Sequence, residues 1–137
     1  MSVTLAHAIT THGIDVHGHL DRDFVIPVLA EPQRQGDVFI LPSPKAKEAG
    51  TPVGRQGHPV VRGENGGNTH LLLPEGDVRF DALEPSPTNL TLGILTVAKN
   101  AVAWLAHPQH GYLGIAPGRY EIRRQREQAD ELRLVAD

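Results

Sequence analysis

NLTLGILTVAKNAVAWLAH, residues 89–107, is the stretch whose reading decides the fold class. At a helical period, Leu90, Ile94, Val97, Ala98, Ala101, Val102 and Leu105 line one side. At a period of two, Leu90, Leu92, Ile94 and Thr96 fall into alternation instead. Gly93 disfavours a helix interior, and Lys99-Asn100 has the chemistry of a two-residue hairpin turn. The β-branched residues and the flanking pattern favour two strands, 89–98 and 101–107, paired as a hairpin, with a buried helix as the alternative.

Working outward, the next stretch reads HPQHGYLGIAPGRYEIRRQRE, residues 107–127. Pro117-Gly118 forces a turn, and 119–126 reads as a strand with Tyr120 and Ile122 on one face and Glu121, Arg123 and Gln125 on the other. Arg124 and Arg126 continue the apolar face, which must therefore leave the core or meet carboxylates there. Upstream, short strands are expected at 37–41, 60–61, 69–73 and 77–83. They are separated by Pro42 and Pro44, by Gly63-Glu64-Asn65-Gly66-Gly67, and by Pro74 to Gly76. Residues 45–57 read as a long polar loop with little to pack, and 84–88 as a linker. Such a rhythm predicts an all-β domain over 36–137, a small barrel or sandwich with a cupin-like jelly roll among its forms.

Residues 1–35 read as an N-terminal extension, an arm that engages a neighbour. Ser2 to Thr11 can form a short helix capped by Ser2 and ended at Gly13, or a strand. Ile14 to Asp21 alternates as a strand does, and Phe24 to Leu29 is an apolar run in which Pro27 implies an edge or a bulge.

A chain of 137 residues suits one domain with a real core. Only 4% of it is aromatic, so that core must be mainly Val, Leu, Ile and Ala. A net charge of −3 gives no electrostatic case for nucleic acid or an anionic membrane. The absence of cysteine excludes disulfides, thiolate nucleophiles and Cys-ligated zinc, and fits a reducing cytoplasm. The N-terminus lacks the basic and apolar regions of a secretory signal, and no run is long enough to span a bilayer. A soluble, cytoplasmic protein is the expectation.

From Gly36 onward the chain resembles a group of short, uncharacterised bacterial β-rich proteins. The residues that carry the resemblance are GDVFILP (36–42), GENGGNTH (63–70) and HPQHGYLGIAPGRYEIRRQRE (107–127), the last being the specific one. The group's pattern has a His-x-His strand where this chain has Asn68 and His70. The resemblance implies a β fold and supplies no activity.

For chemistry, residues two apart on a strand share a face, so Asn68 and His70 point the same way. If the strand ending at His107 lies beside them, His107 or His110 completes an N/O-rich cluster suited to Zn, Fe, Ni or Mn. The arrangement is similar to a cupin site, although the first His is Asn and no Glu follows at the cupin spacing. His17, His19 and Asp21 form a second candidate cluster. The plain reading of all these histidines is that they sit at turns and strand ends, hydrogen-bonded or solvated. Arg119, Arg123, Arg124 and Arg126 with Glu121 and Glu127 suggest cross-strand ion pairs or a subunit interface. The 63–67 turn lacks the Gly-Lys-Ser/Thr of a phosphate loop. Trp104 reads as a core residue.

The residues name no reaction. They favour a non-enzymatic binding or assembly module that is homo-oligomeric. The alternatives are a cupin-like metal-binding protein or metalloenzyme, and a structural protein of a phage or other particle.

Overall fold

The computed structural model describes residues 2–61, 69–84 and 90–124. One helix, α1 (Leu5–His12), precedes ten strands among these residues. The strands are β1 (Val28–Leu29), β2 (Gln33–Gln35), β3 (Val38–Pro42), β4 (His58–Val61), β5 (His70–Glu75), β6 (Val78–Ala82), β7 (Thr91–Val97), β8 (Val102–His107), β9 (Gly111–Ile115) and β10 (Gly118–Arg124). They build two five-stranded sheets, β1-β9-β8-β5-β4 and β2-β3-β10-β7-β6, stacked as a sandwich with no closed barrel.

The 91–107 stretch is two strands, as the β-branched content predicts, but they are not a hairpin. β7 pairs with β6 and β10, whereas β8 pairs with β5 and β9 in the other sheet. Asn100 does adopt the left-handed conformation (φ 67°), and the Ala101 N–H donates to the Ala98 carbonyl at 3.0 Å. The turn steps from sheet to sheet, so that Leu95 and Val97 can meet Ala103 and Leu105 within one core. A positive φ marks a reversal without saying in which plane it lies.

β4–β5, β6–β7 and β8–β9 each pair within one sheet, and the chain changes sheet between these hairpins.

Between the sheets lies an aliphatic core of Val38, Ile40, Leu72, Val78, Leu95, Val97, Leu105, Ile115 and Ile122, completed by Phe80 and Tyr120. The Tyr120 hydroxyl donates to the Ala116 carbonyl at 2.6 Å and closes the Pro117-Gly118 turn. A second cluster lies on the outer face of the first sheet, where Leu73, Trp104, Ala106 and Tyr112 meet Val3, Leu5, Ala8, Val16 and Ile26. Trp104 is thus buried beneath the N-terminal segment rather than between the sheets.

That segment, expected as an arm for a neighbour, covers its own chain's sheet. Its helix is capped by Thr4 and not by Ser2: the Thr4 hydroxyl accepts from the His7 N–H at 3.1 Å. Thr4 forms an antiparallel bridge with Val25, and the Ile26 N–H donates to the Val3 carbonyl, which keeps the chain extended up to that point. Gly13 ends the helix at φ 76°.

The strand expected at 14–21 does not form. The Arg22 guanidinium takes the carbonyls of Val16, His17 and Leu20 at 2.7–2.9 Å and winds the segment around itself. Val28–Leu29 then runs parallel to β9 at the sheet edge. Glycine is required opposite it, since a Cβ on Gly114 would lie 2.7 Å from the Pro27 carbonyl oxygen.

The 45–57 loop has more to hold it than its composition suggests. The Gly50 and Thr51 N–H groups donate to Asp81, whose carboxyl they hold below its ordinary range. Val53 bonds to Val78, and Pro52 bridges Arg79.

Candidate functional site

One end of the sandwich interior is polar. β5 and β8 are neighbours with Leu71 opposite Ala106, so His70 and His107 occupy the next step of the same ladder. His70 shares its strand face with Leu72, and His107 shares its face with Leu105, which aims both imidazoles between the sheets. Their ring centroids are 4.3 Å apart. His110, exposed on the β8–β9 turn, lies 4.6 Å from His107 and 6.3 Å from His70, nearly parallel to the latter.

The turn from β2 to β3 closes this end. Gln35, 2% exposed, donates its side-chain amide to the carbonyls of Leu105 (2.9 Å) and Gly111 (3.1 Å). With both amide hydrogens directed to carbonyls, its Oε1 must face His70 Nδ1, 2.9 Å away. His70 therefore donates from Nδ1 and keeps a lone pair on Nε2. That lone pair faces Asp37, whose Oδ1 is 3.7 Å distant. Burial, and secondarily the adjacent His107, push the His70 pKa down to about 4, against the pull of Asp37.

His107 plays a different part. Its Nδ1 accepts from the main-chain N–H groups of Gln109 (3.1 Å) and His110 (3.2 Å), so the neutral ring carries its proton on Nε2. It orders the turn that presents His110. Gly36, at φ 59°, leaves open the space between the rings: a Cβ there would be 3.0 Å from His110 Nε2 and 3.5 Å from His70 Cε1.

The expected cluster of His70, His107 and His110 therefore comes together, whereas Asn68 lies outside the described residues. Among the described residues, no three His, Cys, Asp or Glu side chains stand ready to hold one metal ion between them. Two contributors were missed in the sequence, Gln35 and Asp37. They flank Gly36 in the GDV run that reads simply as the opening of a strand, and only the return of β2–β3 over β8 gives them a role.

The second candidate cluster does not assemble on a strand face. His17 and His19 are exposed with rings 5.9 Å apart, and the Asp21 carboxylate accepts from the Asp23 N–H. In the last strand, Arg123 sits 3.9 Å from Glu121 on its own strand, and Arg119 donates to the Ala46 carbonyl. Arg124 is half-buried, and no cross-strand ion-pair partner for its side chain is seen among the described residues. Arg126 and Glu127 lie outside the described residues, as does the 63–67 turn.

A family model matches residues 34–125, well over half of the chain. The chain belongs to the family designated Domain of unknown function (DUF8820). The family segment begins at Arg34, so it includes Gln35 and Asp37 together with all three clustered histidines, and it leaves out the helix and the loop that follows it. No curated protein and no solved structure matches the chain. Among the described residues, no helix is long and apolar enough to cross a membrane.

Proposed function

We propose that this protein is a non-enzymatic binding module whose ligand site is the histidine-lined end of the sandwich. The observation that supports this is the burial of Gln35, His70 and His107 at 2%, 4% and 4% exposure, where aliphatic side chains would pack. Buried polar groups are costly unless each is satisfied. Among the described residues no buried side-chain nitrogen or oxygen is left without a partner, and His70 Nε2 is turned toward Asp37 and the exposed His110. A pKa near 4 lies well below the range of an effective general base at neutral pH, which favours binding over acid–base catalysis.

The test is a screen of small metabolites and ions, read by NMR at the imidazole Cε1–H signals of His70, His107 and His110. Binding that moves these signals ahead of all others is expected. A screen whose hits all map elsewhere, or that leaves these signals unmoved, overturns the reading.

A second reading, assembly into homo-oligomers, is favoured by a specific feature. Phe24, Val25 and Val28 are exposed close together beside the β1 edge of the first sheet. Light scattering on the wild type and on Phe24→Ser/Val25→Ser tests it. A fall in particle mass is expected, and a wild-type monomer overturns it.

A further inference from the structure

The tautomer of His70 has a consequence for what the site binds. A neutral imidazole that donates from Nδ1 to Gln35 presents Nε2 as an acceptor, and the carboxylate of Asp37 is an acceptor too. Two lone-pair donors facing each other at 3.7 Å repel unless something positive lies between them. The separation is too long for a hydrogen bond. It is close to the gap of about 3.4 Å between two ligands that share a tetrahedral ion at bond lengths near 2.1 Å. An imidazole whose far nitrogen donates to an amide carbonyl is also the usual state of a metal-bound histidine, because that hydrogen bond fixes the ring and raises its basicity.

We propose that His70 Nε2 and Asp37 bind a divalent transition metal ion, with His110 as the third ligand; the proposal rests on the binding reading above. His110 lies across the opening left by Gly36, whose missing Cβ would stand 3.0 Å from His110 Nε2. The three side chains do not converge on one point as they stand, so the exposed His110 side chain must rotate onto the ion while His70 stays fixed. His107 is not a ligand. Its Nδ1 is engaged by two main-chain N–H groups, and it acts as a positioning residue for the turn that carries His110. One carboxylate and two imidazoles without sulfur suit Zn, Co, Ni or Mn in preference to Ca or Mg. Three protein ligands leave at least one position open to water or to a small ligand.

The experiment uses the full chain, purified without a tag and stripped with a chelator, then titrated with Zn²⁺ by calorimetry and with Co²⁺ by visible absorption. One ion per chain is expected, with d–d bands of a low-coordinate cobalt centre. His70→Ala and Asp37→Asn each weaken binding by about 100-fold, and His110→Ala by at least about 10-fold. His17→Ala/His19→Ala leaves affinity unchanged. Asp37→Asn retains the size and exposure of the side chain, so it reports on the charge even if His70→Ala unfolds. Absence of Zn²⁺ and Co²⁺ binding by the wild type overturns the proposal, as does an Asp37→Asn affinity within twofold of wild type. If no metal moves the His70 signal but an organic ligand does, a water bridges the pair, the metal is excluded and the binding reading survives. If nothing moves it, both fall.

Discussion

The side-chain amide of Gln35 holds His70 in a single tautomer. Because the Gln35 amide hydrogens are spent on the Leu105 and Gly111 carbonyls, its oxygen can only accept, and His70 Nδ1 can only donate. The imidazole ¹⁵N spectrum at neutral pH should therefore show His70 with a protonated Nδ1 and an unprotonated Nε2. Rapidly averaged tautomers would contradict the assignment.

The same burial makes stability depend on pH. The folded pKa of His70, about 4, lies below the unfolded value of 6.5, with His107, His110 and Asp37 facing the ring. Above pH 6.5 neither state takes the proton and the stabilisation is fully present. As pH falls from 6.5 toward 4 the unfolded chain protonates first, so stability is lost across that window, by up to roughly 3 kcal/mol. Burial depresses the pKa of His12 as well, in the same sense. Denaturant midpoints measured between pH 7 and pH 4 should fall accordingly, and His70→Gln should flatten the slope.

Replacing Gln35 by Leu should be costly despite the similar size. Two buried carbonyls and His70 Nδ1 would lose their partner together, which predicts a loss of about 2–4 kcal/mol by urea unfolding. A change below about 1 kcal/mol would mean that water takes over these bonds.

Tyr112 ties the N-terminal segment to the sheet, its hydroxyl donating to the Ile14 carbonyl at 2.7 Å. Burial raises its pKa to about 12. Tyr112→Phe should cost about 1 kcal/mol. Its distinguishing mark is faster amide exchange in residues 3–26 with exchange in β7 and β10 unaltered.

Removal of residues 1–26 should expose Trp104, Leu73 and Tyr112 on the outer face of the first sheet. Low solubility with retained β circular dichroism is the expected result, since the aliphatic core between the sheets does not involve that segment. A soluble truncation with unchanged Trp fluorescence would show that the second cluster forms without its cover.

Local chemistry alone marked β3 to β8 and β10, but not β2 or β9. β-branched alternation, with Pro and Gly at short intervals, leaves little else for those strands, and Gly13 ends a helix wherever that helix begins. The pairing of His107 with His110 near a turn was also legible, because three residues and a glycine define a tight reversal. Only the tertiary structure decided which strands share a sheet. Asn100 takes the same positive φ in a hairpin as in a step between sheets, and packing of Leu95 and Val97 against Leu105 selects the step. The alternation of residues 14–21 was real but powerless, because Arg22 claims the carbonyls that a strand would need. The environment of His70 was invisible for a related reason: Gln35 and Asp37 lie more than thirty residues away in the chain and reach it only when the β2–β3 turn folds over the end of β8.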